Sequence, residues 1–156
     1  MTGKVPSVLI LGSMPSVMSL RSGRYYGNER NHFWRLVAAV LEEPERDDYG
    51  ERVAMLERRR IALWDVMRSC VRLGSLDRDI RDEEPNDIAG LLERNPTIRA
   101  VCFNGQVAGK TYFRHNPKEE RLEYLLLPSS SPVPRRVVKT FEDRLAFWLE
   151  LRRFLG

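Results

Sequence analysis

The stretch Gly12–Trp34, GSMPSVMSLRSGRYYGNERNHFW, concentrates residue types that can hold a flat ligand. Its glycines let backbone approach a ligand closely, and Pro15 fixes a turn. Tyr25 and Tyr26 are adjacent aromatics on which a flat partner can stack. Asn31 precedes the aromatic pair Phe33–Trp34 and is well placed to cap a helix. A second loop, Pro128–Arg136, is rich in serine and proline and ends on Arg135 and Arg136. The plainer alternative for the first stretch is a surface loop whose tyrosines only cover the edge of the core.

Other chemistries lack the residues they need. His32 and His115 are the only histidines, far apart and without metal-ligand spacing. Cys70 and Cys102 lie outside any CxxC, which excludes a standard zinc site or a four-cysteine iron–sulfur cluster on ligand count. Cys102 sits in an apolar run and reads as core. No metal and no cofactor is expected.

The elements that would position these loops alternate in type. Ser7–Leu11 reads as a buried strand, and Phe33, Trp34, Val37 and Leu41 repeat at helical spacing up to Pro44. Tyr49, Val53 and Leu56 mark a second helix ending on Arg58–Arg60, cations suited to a helix C-terminus. Ile61–Val66 is a second strand. Met67–Glu84 has no clear period and many charges, and is expected to be a long irregular segment. Asn86 is placed to cap a short helix through Leu92. Ile98–Phe103 is a third strand, with Asn104 either lining a pocket or capping the helix Gln106–Phe113. Leu122–Leu127 is a fourth strand, and Thr140–Leu155 a closing helix with Phe141, Leu145, Trp148 and Leu149 on one face. Strands alternating with helices predict a parallel sheet covered on both sides. In open α/β sheets ligands bind outside the carboxyl ends of the strands, where both loops fall.

The chain has 156 residues, 42% hydrophobic and 31% charged, which fits one domain spanning 1–156 with its own core. No apolar run approaches the ~20 residues that cross a bilayer. The N-terminus lacks a signal-peptide pattern, so a cytoplasmic protein without a membrane partner is expected. The net charge of +4, carried mostly by arginine, modestly favours a polyanionic partner.

Six short motifs run through nearly the whole chain in order: Asn31–Trp34 (NHFW), Leu63–Val66 (LWDV), Gly74–Asp77 (GSLD), Pro85–Ile88 (PNDI), Phe103–Gly105 (FNG) and Leu127–Pro132 (LPSSSP). Together they resemble the uracil-DNA glycosylase superfamily, and within it the hypoxanthine (deoxyinosine) branch. The resemblance implies a three-layer α/β/α fold with a four-stranded parallel sheet. It also implies an enzyme that flips a deaminated base out of single- or double-stranded DNA and hydrolyses its glycosidic bond; with none of the four lysines in a recognised catalytic motif, a monofunctional enzyme is expected. The transition state of such a reaction has oxocarbenium character, so groups that orient water and stabilise charge matter most.

The resemblance also distributes roles. Asn31 maps to the branch's essential asparagine, an amide that orients water without titrating. Ser13, Met14, Tyr26, Asp65 and Asn104 map to the base pocket. There Tyr26 stacks on the base, and Asp65 accepts from the ring N–H of hypoxanthine or uracil. Ser129, Ser130 and Ser131 map to a phosphate clamp, with Arg135 and Arg136 on the DNA backbone. Strand-end capping is an equal alternative for Asp65. Three positions depart from the pattern: Met14 stands where most branches carry a water-positioning Asp or Asn, Asn28–Glu29 where the branch shows His-Pro, and Leu127 where other branches have His or Asn. A mismatch-type uracil glycosylase, a DNA-binding module without catalysis, and a hydrolase of free nucleosides or nucleotides are the competing readings. A monomer is expected.

Overall fold

The computed structural model describes residues 5–71, 81–133 and 136–155. A four-stranded sheet runs through its centre, built from β1 (Val8–Gly12), β2 (Ile61–Asp65), β5 (Ala100–Asn104) and β6 (Glu123–Leu127), in the order β2-β1-β5-β6. Every pairing in it is parallel. The chain leaves β1 toward β2, then returns across to β5. The direction of winding therefore reverses between β1 and β5, and the crevice this opens lies at their carboxyl ends.

Period-two alternation assigns the two faces. Val8 and Ile10 of β1 pack with Phe33, Val37, Val40, Trp148 and Leu151 on one side. Leu9 and Leu11 pack with Ile88, Leu92, Ala108 and Tyr112 on the other. The first side is covered by α2 (Phe33–Leu41), α3 (Tyr49–Arg58), α6 (Phe141–Trp148) and a 3₁₀ turn, Leu149–Phe154. The second is covered by α4 (Ile88–Arg94) and α5 (Gln106–His115). The three-layer arrangement with a four-stranded parallel sheet agrees with the expectation from sequence. No helix among the described residues is long and apolar enough to cross a membrane.

Several local expectations give way. The loop after β1 contains a short helix, α1 (Val17–Ser22), capped by Ser16, whose hydroxyl accepts the Ser19 N–H at 3.1 Å. The segment expected to be irregular holds an antiparallel pair, β3 (Met67–Val71) and β4 (Arg81–Pro85). Two register shifts along this pair break the alternation that would have revealed it. Its connection, including the Gly74–Asp77 motif, lies outside the described residues. Asp87 rather than Asn86 caps α4, its carboxylate accepting the Gly90 N–H at 3.0 Å. Gly105 rather than Asn104 precedes α5, at φ +97°, a conformation that L side chains rarely adopt. The closing helix tightens to 3₁₀ geometry after Trp148.

Trp148 is fully buried and its indole N–H donates to the Pro128 carbonyl at 2.9 Å, which ties α6 to the start of the loop after β6. Trp148→Phe leaves that carbonyl without its donor. A loss of about 1–3 kcal/mol in unfolding free energy is expected, read as a lower urea midpoint at unchanged slope.

Candidate active site

The carboxyl ends of the strands surround a cavity of about 490 Å³. Its walls are the β1–α1 turn (Gly12–Ser16), Tyr25 and Tyr26, Asn28 and Asn31 before α2, Asp65 at the end of β2, Asn86 after β4, Asn104 at the end of β5, and Ser129–Pro132 after β6. All five residues expected in a base pocket (Ser13, Met14, Tyr26, Asp65 and Asn104) line it, together with Asn31. Gly12 makes this convergence possible. A Cβ there would lie 2.7 Å from the Asp65 Oδ1 and 3.2 Å from the Tyr26 hydroxyl, so any side chain would displace both.

The polar groups of the cavity are joined into one chain of hydrogen bonds. The Ser130 N–H donates to Asn104 Oδ1 at 2.8 Å. A backbone N–H can only donate, so the Asn104 amide is fixed in one orientation. Its Nδ2 then donates to the Ser130 hydroxyl at 2.9 Å and to the Tyr26 hydroxyl at 3.0 Å. The Ser130 hydroxyl in turn donates to Asn31 Oδ1 at 2.8 Å. The same Oδ1 accepts the Phe33 N–H at 2.9 Å, at the first turn of α2. Both lone pairs of Asn31 Oδ1 are therefore filled by protein donors. What Asn31 has left for a ligand or water is its Nδ2–H₂ group. His32 rather than Asn31 stands at the N-cap of α2 and makes no side-chain cap bond; Asn31 meets the Phe33 N–H from one residue further out, with a side chain that also lines the cavity.

Tyr26 carries the other marked feature. Its φ is +52°, a left-handed backbone that is uncommon for a residue of this bulk. The ring stacks on Phe33 with centroids 3.9 Å apart and planes 17° from parallel. A base can therefore stack only on the opposite face. Neighbouring Tyr25 is held by its backbone: its N–H donates to the Tyr49 hydroxyl at 3.0 Å, and its carbonyl accepts the Trp34 indole N–H at 3.1 Å. Burial first, then the charge of Asp65 and the neighbouring Tyr49, push the Tyr25 phenol up to about 12.

A model of the uracil DNA glycosylase superfamily matches residues 2–152. The chain belongs to this superfamily. Two relatives bearing the name hypoxanthine DNA glycosylase are similar to it. The one from Methanosarcina acetivorans is 44% identical over 139 residues, covering 87% of this chain and 85% of the relative. The one from Methanosarcina barkeri is 36% identical over 146 residues, covering 92% and 88%. The solution NMR structure of a candidate uracil DNA glycosylase from Methanosarcina acetivorans superposes with a TM-score of 0.84 at 40% identity, covering 99% of this chain and 93% of that one.

Within this superfamily member the serine loop divides its labour. Ser130 is buried, and both its hydroxyl and its N–H are spent inside the protein. It ties Asn104 to Asn31, and is not placed to meet a phosphate directly. Ser129 and Ser131 are half-buried; their hydroxyl oxygens accept the N–H groups of Ser131 (3.1 Å) and Val133 (3.4 Å). In these bonds each hydroxyl only accepts, which leaves its proton as a donor of the kind a phosphate needs. Arg136 is exposed and does not line the cavity; Arg135 lies outside the described residues. Glu29 is exposed and likewise absent from the lining, whereas Asn28 belongs to it.

Sequence reading missed Arg144. It is 1% exposed, on the first turns of α6. Its guanidinium donates to the carbonyls of Ser129 (3.0 Å), Ser131 (2.9 Å), Val133 (3.1 Å) and Thr140 (3.2 Å). Five fixed donors on a planar fork suit a loop whose carbonyls have no sheet partner. The available signal was an arginine inside the predicted apolar stripe of the last helix, between Phe141 and Leu145. Arg144 also acts on His32, whose backbone N–H donates to the Ser130 carbonyl at 2.9 Å. Partial burial, then Arg144 and Arg35, hold the His32 imidazole below its usual pKa.

Two outcomes follow for the glycosylase. Ser130→Ala strips the proton from Asn31 Oδ1 and the acceptor from Asn104, and is expected to cost about 1–3 kcal/mol of stability by chemical denaturation. Ultraviolet titration should find Tyr25 un-ionised until the pH nears about 12. A phenol raised in the folded state contributes stability that is complete below pH ~10 and is lost as pH climbs through the folded value. Tyr25→Phe should flatten that alkaline loss in denaturation midpoints.

Proposed function

We propose that this chain is a monofunctional DNA glycosylase that hydrolyses the bond between deoxyribose and a deaminated base, hypoxanthine first, leaving an abasic site. The observation that carries the reading is the saturated Asn31 amide. With Oδ1 held by the Phe33 N–H and the Ser130 hydroxyl, Asn31 has its Nδ2–H₂ group left to serve the cavity as a fixed donor. Such a donor holds a water oxygen by one lone pair and leaves the other aimed at the anomeric carbon. As the base departs and charge grows on the sugar, that water adds, and its proton passes to solvent or to the leaving base. No titrating group is required at Asn31.

Two further features support water over a protein amine as the nucleophile and a base over other ligands. Among the described residues no lysine lines the cavity, which supports water over a lysine amine as the nucleophile. The Tyr26 ring, backed by Phe33, offers one face for stacking, typically worth ~1–3 kcal/mol per base. The names of the two Methanosarcina relatives support hypoxanthine over uracil. The hydroxyls of Ser129 and Ser131 fit the phosphates beside the extruded nucleotide, and Arg135 and Arg136 follow on the same loop with positive charge for the DNA backbone. We take the enzyme to work as a monomer in the cytoplasm.

The test is excision from duplex oligonucleotides carrying one inosine or one uracil, with alkaline cleavage of the abasic product, alongside Asn31→Ala. Inosine should be excised at a rate that the variant lowers by ~100-fold or more. Excision unchanged in Asn31→Ala would remove Asn31 from the chemistry. DNA binding without cleavage of either substrate would leave a binding module.

A further inference from the structure

Asn86 was expected to cap α4, but Asp87 does so, and the Asn86 side chain turns the other way. Its Nδ2 donates to the Asp65 backbone carbonyl at 2.8 Å, and its own N–H donates to the Val66 carbonyl at 2.7 Å. A carbonyl can only accept, so the amide has one orientation, with the nitrogen toward β2 and Oδ1 away from it. The residue is half-buried in the cavity wall, and no donor among the described residues reaches Oδ1. A fixed acceptor in a ligand cavity, pinned from two sides, is a reader of something that donates.

Deamination of adenine changes one edge of the ring. N1 is a bare acceptor in adenine; in hypoxanthine it carries a hydrogen beside the new carbonyl. A fixed oxygen attracts the second edge and meets the first lone pair to lone pair. Asp65 is on the same wall but deeper, 8% exposed, with its carboxylate lying over Gly12. Asn86 is the more accessible acceptor of the two. We infer that Asn86 is a specificity-determining residue whose Oδ1 accepts the ring N–H created by deamination. The inference rests on the glycosylase reading above.

The test compares single-turnover kcat/KM on duplexes carrying deoxyinosine with those carrying deoxynebularine, whose purine base lacks both the N1 hydrogen and the carbonyl. Asn86→Ala should lower the inosine value by about 10- to 100-fold, as expected when one buried donor loses its partner. It should change the nebularine value by less than ~3-fold, within what loses no hydrogen bond. The ratio of the two substrates is independent of the folded fraction, so a variant that folds poorly still reports. Asn86→Asp, which keeps an acceptor and gives up the donation to Asp65, should retain the inosine preference. Equal losses on both substrates, or no loss on either, would overturn the inference and leave the glycosylase reading standing. Failure of the wild type on inosine would overturn both.

Discussion

The site depends on the hydroxyl of Ser130. It is the one group that accepts from Asn104 and donates to Asn31, and so it transmits an orientation from one amide to another. The direction of the whole chain is set at its two ends by backbone N–H groups, those of Ser130 and Phe33. Because main-chain donors cannot reverse, neither amide can flip without leaving a buried polar atom unpaired. A side-chain amide can otherwise sit either way round, and anchoring both to the main chain removes that freedom. Asn31 thus faces the cavity as a donor for structural reasons that precede any ligand.

The sheet provides the frame for this chain of bonds. Reversal of winding between β1 and β5 opens the crevice, and parallel pairing brings the end of each strand to the same rim. Gly12 lets Asp65 and Tyr26 cross above β1, and Gly105 turns the chain so that Ser129 can sit against it, with a Cβ there 3.3 Å from that of Ser129. The loop after β6 has no sheet partner, and Arg144 and Trp148 hold it from below by its carbonyls. A buried cation gripping carbonyl dipoles does for this loop what a neighbouring strand does for β5.

Much of this was legible in the chain. Four apolar runs and intervening amphipathic stretches gave the layers, and the loops after strands one and four fell at the rim where the cavity lies. Ser13, Met14, Asp65 and Asn104 were recognisable as cavity-wall residues because each falls at or just past a strand end. What escaped was local competition between neighbouring polar residues. Asn86 and Asp87 are both good caps, as are Asn104 and Gly105 by different means, and only tertiary contacts decide which is spent where. Asn86 and Asn104 were drawn away from their helices by carbonyl and hydroxyl partners far off in sequence. The β3–β4 pair hid behind its register shifts. Arg144 stood out only as an arginine within the apolar stripe of the last helix, and its partners stayed hidden because they are carbonyls, which sequence does not distinguish.

The bonds that define the site span the chain. Asn31 and Ser130 are 99 residues apart, and Tyr26 and Asn104 are 78 apart. Contacts of such separation close large loops and form only when the intervening elements are already in place. A partly folded chain therefore lacks the oriented amide even if its sheet is largely assembled. The geometry of the cavity is thus a property of the completed fold and of no single segment, so a change far from the cavity in sequence can still undo the orientation of its amides.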